Sequence, residues 1–243
     1  MPKISVCVPV YAMAGGRSER FLVEFFSNLV EQSFKDFDIV VSDQSPEASG
    51  FYLLPIISAF RHVLDIKYVQ NNSSIKSAAN NVNNAIRHAT GEIVKLLYMD
   101  DFFVDRQALA KIAQAFDNNT NKWLIGGYLN CNEDRTLFYN PKQPWYGNAY
   151  VNGDNSTGNP SNYAVRRECA LEMDENLAWI VDGEYFYRSY YHYGAPIMIP
   201  DIMVCFRDHG DSSFKKDSFR ELDAKERQYC VDKFNGIVEH KLI

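Results

Sequence analysis

Residues 91–103 read GEIVKLLYMDDFF, and no other stretch limits the fold so tightly. A mostly apolar run, residues 93–99, stops at two adjacent carboxylates, Asp100 and Asp101. A run of that length between a glycine and two acids predicts a buried strand of a mostly parallel sheet. In open α/β sheets ligands bind beyond the carboxyl ends of the strands, which is where these acids fall. Two neighbouring carboxylates repel each other unless a positive charge lies near. A divalent cation held by one or two carboxylates and completed by substrate phosphates meets that need. The competing reading is a solvated turn after a strand, where aspartate is common.

The chain before this run alternates strands and helices, which implies a parallel sheet with right-handed crossovers. Residues 4–11, ISVCVPVY, predict a first buried strand, followed by a loop in which Gly15 and Gly16 can take unusual backbone angles. Phe21, Leu22, Phe25, Phe26 and Leu29 recur at helical spacing. DIVVS is a second strand that also ends in an acid, Asp43; a helix follows through FYLLPIISAFRHVL, with Pro55 near its start, and IKYVQ is a third strand. In IKSAANNVNNAIRHA, Ile75, Ala78, Ala79, Val82, Ile86 and Ala89 form an apolar stripe, and Asn80, Asn81, Asn83 and Asn84 crowd the other face. Asparagine favours local backbone bonding over helix, so the expectation for most of these side chains is a solvated face. The alternative is a set of amides facing a ligand cleft.

Beyond Asp101 a helix is expected through DRQALAKIAQAFDNN with Asp105 as its cap, then a strand, WLIGGYLN. Residues 131–161 turn polar and rich in glycine and proline, which suggests a functional loop and an acceptor lid. NYAVRRE is read as a strand leading into a short helix through Leu171; IVDGEYFYRSYYHYG is an aromatic-rich helix closed by Gly194, IMVCFR a last strand, and the C-terminal segment an amphipathic helix.

The 243 residues suit one large α/β domain, and 46% hydrophobic with 14% aromatic residues is ample for a core. A net charge of -6 argues against duplex nucleic acid or another polyanion as a tight partner. It leaves a nucleotide bound through a metal open. Cys7, Cys131, Cys169, Cys205 and Cys230 show no metal-site spacing, and buried free thiols in a reducing compartment are expected. The N-terminus does not have the form of a signal peptide, and no apolar stretch approaches the ~20 residues that span a bilayer. A soluble protein is the expectation.

Three acids or acid pairs stand where chemistry could use them: Asp43, Asp100 with Asp101, and Asp182 with Glu184. If their strands adjoin, Asp43 and Asp100 share a cleft, one bonding a base or sugar while the other holds a metal. A third acid, from a separate element, could be a general base.

The order of these motifs resembles glycosyltransferase family 2, with the GT-A fold, from Ile4 to about Ser213. VPVY resembles the family's first strand, which implies nucleotide contacts from Pro9 and Tyr11. VSDQS stands where the family has V-D-D-G-S, so Asp43 takes the place of the base-recognising acid and Ser42 that of its neighbour. NNSSIKSAANNVNNAIRHATGEIVKLLYMDDFF resembles N-x-G-x-S-x-A-R-N…A-x-G-E-Y-I-x-x-L-D-x-D-D, and GNPSNYAVRRE the acceptor-side loop and strand. DENLAWIVDGEYFYR resembles F-D-E-x-L…E-D-x-x-x-x-x-R, which puts Asp182 on the catalytic aspartate. CFRDHGDSS resembles the segment that closes over the diphosphate.

There are departures: the first acid of D-x-D-D is Tyr98, the arginine of A-R-N is Asn80, and the glutamate before Asp182 is Val181. The metal ligand therefore falls on Asp100, with Asp101 in support and His209 a further candidate ligand. Lys76, Asn81 and Arg207 are placed with the donor, Lys76 or Arg207 replacing the lost cation. Residues 1–103 are read as the nucleotide-sugar half, and residues 104–243 as the acceptor half with the C-terminal helix.

The resemblance implies a single inverting displacement: a nucleotide-diphosphate sugar, a divalent ion (Mn²⁺ or Mg²⁺), and Asp182 as base for an acceptor hydroxyl. It further implies a glycan or lipid-linked glycan acceptor in surface glycan synthesis, and a cytoplasmic protein, possible also at the inner face of the membrane. Trp145, Tyr146 and Trp179 are candidate sugar platforms, and the tyrosines of residues 185–193 are read as packing. Two other readings stand beside this one. A nucleotidyltransferase would need a phosphate loop that AMAGGRSER only faintly resembles. A catalytically dead sugar- or nucleotide-binding module would explain Tyr98 and Asn80.

Overall fold

The computed structural model describes residues 1–46, 53–146, 157–211 and 217–238. Its sheet has nine strands: β1 (Ile4–Val10), β2 (Phe37–Asp43), β3 (Ile66–Gln70), β4 (Ile93–Leu96), β5 (Phe102–Phe103), β6 (Trp123–Asn132), β7 (Phe138–Lys142), β8 (Tyr163–Arg166) and β9 (Ile197–Asp208). The order is β3-β2-β1-β4-β8-β6-β9-β5, with β7 paired to β6 outside that path. Strands β1 to β4 run parallel. The second half is mixed: β8 is antiparallel to β4 and β6, β5 is antiparallel to β9, and β6 and β9 are parallel.

The helices are α1 (Arg17–Val30), α2 (Leu53–Phe60), α3 (Ala78–His88), α4 (Ala108–Asp117), α5 (Val181–Tyr193) and α6 (Asp217–Val238). They cover both faces. Ile4, Val6, Val8 and Val10 of β1 pack one way, onto Leu22, Phe25, Phe26 and Leu29 of α1 and Leu109, Ile112 and Phe116 of α4. Cys7 points the other way and joins Val82 and Ile86 of α3, Tyr185 and Phe186 of α5 and Phe234 of α6. A strand covered on both sides must be apolar on both, which is why β1 and β4 lack a clean alternation. All five cysteines are free and buried.

Between β1 and β4 the strand order reverses: β2 and β3 lie on one side of β1 and β4 on the other. Such a switch point opens a crevice at the carboxyl ends, and Asp100 and Asp101 stand just past the end of β4. β1 separates β2 from β4, so Asp43 and Asp100 end strands that are not neighbours. Gly15 and Gly16 have φ of 72° and 71°, the left-handed turn that lets the chain leave β1 and enter α1.

Several local expectations are corrected. α3 begins at Ala78, capped by the Ser77 hydroxyl, so Ile75 precedes the helix and is 49% exposed. α4 begins at Ala108 with Gln107 as its N-cap; Asp105 instead closes a turn by accepting the Gln107 N–H at 2.9 Å. The polar stretch 131–161 is not all loop, because β6 continues to Asn132 and residues 138–142 return along it as β7. Its residues 147–156, residues 51–52 of the second helix expected from the sequence, and Ser212 and Ser213 lie outside the described residues.

Candidate active site

The crevice beyond β4 holds a cavity of about 510 Å³ that gathers residues from distant parts of the chain: Tyr98, Asp100, Asp182, Arg207, Asp223 and Arg227 all line it. A second hollow, beside residues 61–66, lies at the opposite, N-terminal end of β3 and is far from these groups.

The two acids after β4 have different surroundings. Asp101 is 2% exposed and accepts three hydrogen bonds: the Ser161 hydroxyl at 2.6 Å, the Asn159 amide at 2.9 Å and the Arg207 backbone N–H at 3.0 Å. Burial and the neighbouring Asp100 charge push its carboxyl up to about 7, against those three donors. Asp101 thus ties β4 to the residue 159–161 turn and to β9. Gly158, at φ 90°, lets that turn pass over the stacked rings of Tyr128 and Phe206, where a Cβ would lie 2.6 Å from the Phe206 ring.

Asp100 keeps a quarter of its side chain exposed and meets His209 Nε2 at 2.9 Å. The Asp211 N–H donates to His209 Nδ1 at 3.2 Å, so in the neutral ring Nε2 carries the proton toward Asp100. Asp100 and His209 are the pair expected to share a metal. Among the described residues no cluster of three or more metal-binding side chains occurs. A Mg²⁺ or Mn²⁺ ion completed by phosphate oxygens and water needs only one or two protein ligands. Asp100 fits that need, and His209 Nε2 would join it once the ring proton moves to Nδ1 and the Asp211 hydrogen bond is given up.

Arg207 is 5% exposed, its guanidinium lies 4.2 Å from the centre of the Phe21 ring, and its Nη2 donates to Glu24 at 2.6 Å. Its Nε and Nη1 are buried with no protein acceptor among the described residues. Two unmatched charged donors beside Asp100 suit an anionic ligand.

Asp182 sits in the first turn of α5, half-buried, on the cavity wall. No described residue bonds its carboxylate. Arg188, further along the same helix, is taken by Glu184 at 2.5 and 2.9 Å. Burial pushes the Asp182 carboxyl up to about 7. Tyr98 lines the same cavity as this acid and the Asp100–Asp101 pair. Burial first, then those three acids, raise its phenol well above its ordinary value, so it remains a protonated donor at neutral pH. Glu184 is corrected: it is 1% exposed and clamped by Arg188 and by Lys233 at 2.8 Å, outside the cavity lining.

The donor-half residues are placed differently from expectation. Asp43 is fully buried, with one oxygen accepting the Ser45 N–H and the other the Tyr68 hydroxyl, each at 2.8 Å. The Ser42 hydroxyl is spent on Asn81 at 2.7 Å and on the Asn84 amide at 2.8 Å. Asn81 also donates to the Val10 carbonyl at 3.0 Å and so binds β1 to β2 from beneath. The solvated asparagine face is overturned: Asn80, Asn81 and Asn83 are 5%, 3% and 0% exposed. Pro9 lies in β1 opposite Ser42, Tyr11 is 52% exposed just past it, and Lys76 is exposed, its amine 3.4 Å from the Asn71 carbonyl. None of Pro9, Tyr11, Asp43 and Lys76 lines the 510 Å³ cavity.

Of the aromatic candidates only Trp179 lines it. Tyr146 stacks on Tyr190 at 4.2 Å, and Trp145 is 58% exposed. Sequence reasoning missed Asp223 and Arg227, whose i, i+4 spacing on α6 is a visible signal with nothing to say which way it faces. It also missed Lys95, which is 1% exposed and donates to the carbonyls of Leu96, Ser161 and Tyr163.

The fold and this cleft define an α/β domain with a ligand crevice at the switch point of its sheet. The sequence profile of glycosyl transferase family 2 matches residues 5–174, and the chain belongs to that family. It is 28% identical over 127 residues to the poly(ribitol-phosphate) beta-N-acetylglucosaminyltransferase TarS of Staphylococcus aureus, a match covering 51% of this chain and 21% of that protein. The chain therefore spans only part of the length of that relative. The structure of S. aureus TarS 1-349 with UDP-GlcNAc superposes with a TM-score of 0.71 at 18% identity, covering 94% of this chain and 66% of that one. The mannosyltransferase PcManGT of Pyrobaculum calidifontis, solved with GDP-Man and Mn²⁺, gives 0.67 at 17% identity over 96% and 64%. At such identities the likeness is one of fold.

Proposed function

We propose that this chain moves a sugar from a nucleoside-diphosphate sugar to an acceptor hydroxyl with inversion at the anomeric carbon, in the synthesis of a glycan. The observation that carries the reading is the convergence of Asp100, Arg207 and Asp182 on one cavity. Asp182 has no competing protein partner among the described residues and is held by burial near neutrality, where a carboxylate base works best. Structures of similar fold with UDP-GlcNAc and with GDP-Man and Mn²⁺ support the donor class and the metal.

Asp100 and His209 would hold the divalent ion, which when bound offsets the charge on the departing diphosphate. Arg207, with two buried unmatched N–H groups, would donate to the same diphosphate. Asp43 and Asn81, fixed at the carboxyl ends of β1 and β2, would shape the nucleotide pocket with Pro9 and Tyr11, and Lys76 would reach it from the surface. In the transfer the acceptor oxygen bonds to the anomeric carbon while the bond from that carbon to the diphosphate oxygen breaks. The hydroxyl proton passes to Asp182, and the nucleoside diphosphate leaves. Asp101 acts through its three hydrogen bonds by fixing Asp100 and Arg207 in place. We assign residues 1–103 chiefly to the donor and residues 104–243 to the acceptor.

The acceptor in this reading is a glycan, free or lipid-linked, and the site of action is the cytoplasm or the inner face of its membrane. Free buried cysteines agree with a reducing compartment, and among the described residues no helix is long and apolar enough to cross a membrane.

The test is thermal unfolding with UDP, GDP, UDP-glucose, UDP-GlcNAc and GDP-mannose, each with and without Mn²⁺. At one hundred times its Kd a ligand adds about 2.7 kcal/mol. The reading expects at least one Mn²⁺-dependent rise in midpoint, lost in Asp100→Asn and His209→Ala. A flat response across the panel removes it.

A further inference from the structure

The far wall of the cavity is built by α6 and the segment that leads into α5. Trp179 donates its indole N–H to Asp223 at 2.9 Å, and Arg227 Nε donates to the other Asp223 oxygen at 2.7 Å. All three line the cavity that holds Asp182. Beneath them Glu226, 6% exposed, accepts three successive backbone N–H groups, those of Ala178, Trp179 and Ile180, at 3.0, 2.9 and 3.0 Å. A buried carboxylate satisfied by three backbone donors is rigid, so both the indole ring and the entry to α5 are fixed. Asp223 and Arg227 themselves remain about one-third exposed, at 34% and 35%, and can reach a ligand.

We propose that Trp179, Asp223 and Arg227 form a subsite for the acceptor, and that this acceptor presents a neutral sugar; the proposal rests on the transferase reading above. A fixed indole ring offers an apolar plate to the C–H face of a pyranose. A carboxylate beside a guanidinium offers an acceptor and several donors at the plate's edge, which suits adjacent hydroxyls. A few fixed polar groups on an apolar wall are what orient a small ligand in a cleft.

Charge decides between a neutral and an anionic sugar. In the transferase reading the diphosphate takes Asp100 and Arg207 of the cavity lining, with His209 beside Asp100. Apart from Asp100 and Arg207, the charged groups lining the cavity are Asp101, Asp182, Asp208, Asp223 and Arg227, four acids to one base. Asp223 already neutralises Arg227. A uronate or phosphorylated sugar there would meet like charge without a free cation among these groups.

The experiment measures release of nucleoside diphosphate from UDP-glucose, UDP-GlcNAc and GDP-mannose with Mn²⁺. The p-nitrophenyl glycosides of glucose, galactose, mannose and N-acetylglucosamine are compared as acceptors with p-nitrophenyl glucuronide and glucose 6-phosphate. A neutral glycoside should raise release about tenfold or more above donor hydrolysis, and Asp223→Ala and Arg227→Ala should each raise its KM about tenfold. The midpoint rise given by the nucleotide with Mn²⁺ should persist in both variants. Should Asp223→Ala lose its fold, Asp223→Asn, which keeps the shape and one acceptor, carries the same KM test. Acceleration by the charged compounds alone, by no compound, or an acceptor KM unmoved in the folded variants overturns the subsite. Failure of the transferase reading is separately visible, since then no nucleotide raises the midpoint and no donor is hydrolysed.

Discussion

Replacing Asp182 with asparagine should cut turnover sharply and make the protein more stable, and the gain should depend on pH in a defined way. Burial raises this carboxyl from 3.8 to about 7 in the folded chain. The folded state therefore binds its proton more tightly than the unfolded state. Between about pH 4 and pH 7 the native form holds the proton while the unfolded form has lost it, so stability falls as pH rises through that window. Above pH 7 both forms are ionised and the full cost is present. The gap of about three pH units at about 1.4 kcal/mol each sets a ceiling of about 4 kcal/mol. Because Asp182 is only half-buried and one face meets the water of the cleft, screening cuts this to about 2 kcal/mol.

Asparagine keeps the shape and cannot ionise. Asp182→Asn should then match the parent near pH 4 and exceed it by about 2 kcal/mol at pH 8, or about 4–8 °C in midpoint for a chain of this size. Urea unfolding of both proteins at pH 4, 6 and 8 reads the effect directly. The same ionisation should appear in kcat/KM of the parent as an acid limb centred near pH 7, because only the carboxylate can take the acceptor proton. Loss of the base should cost about 10²–10⁴ in kcat. A stability difference that is equal at all three pH values, or that favours the parent at pH 8, would falsify the account of Asp182 as a carboxylate held neutral by its surroundings.

The remaining expectations concern the frame around the site. Glu226→Ala removes the acceptor of three backbone N–H groups and should cost about 2–4 kcal/mol in urea unfolding, with kcat reduced more than donor binding. Asn83→Ala unpairs Met173, whose N–H and carbonyl both bond that side chain, at 2.6 and 2.9 Å; a loss of about 2–3 kcal/mol is expected by the same assay. Burial lowers the Lys95 amine to about 7 against the pull of Asp101, so the unfolded chain binds this proton more tightly. Stability should therefore rise from about pH 7 toward pH 10, and Lys95→Met should flatten that rise.

How much of this was legible in the sequence follows from the range of the interactions involved. β1, β2 and β4 were plain because a strand buried on both faces writes its burial into consecutive residues. Asp100, Asp182, Arg207 and His209 stood out in the sequence as members of ordered motifs; the structure brings Asp100 to His209 and lines one cavity with Asp100, Asp182 and Arg207. Glu184 could have been set aside from helix geometry alone, since two residues turn a helix by about 200° and point Glu184 away from Asp182. The asparagines of α3 could not have been read correctly from spacing. Polar composition implies water, and their actual partners, the Val10 carbonyl for Asn81 and Met173 for Asn83, lie 71 and 90 residues away. Lys95 escaped notice for the same reason: its three acceptors are backbone carbonyls, two of them 66 and 68 residues on, and carbonyls leave no mark in a sequence.

Those long-range bonds also explain how Asp182 on α5, the proposed base, is kept in register with the carboxyl ends of β1, β2 and β4. The segment that leads to Asp182 is gripped on two sides. Asn83 bonds Met173 through both backbone groups, and Asn80 and Asn83 each donate to Glu175, at 2.9 and 3.0 Å. Five residues further on, Glu226 of α6 takes the N–H groups of residues 178–180. The same α3 holds the ends of β1 and β2 through Asn81 and Ser42. One helix therefore references both the ends of β1 and β2 and the segment before Asp182 to the same backbone. Asparagine serves there because each amide can donate to one element and accept from another within a single side chain. Alanine at these positions would favour the helix more and would leave the segment before Asp182 held by Glu226 and packing alone.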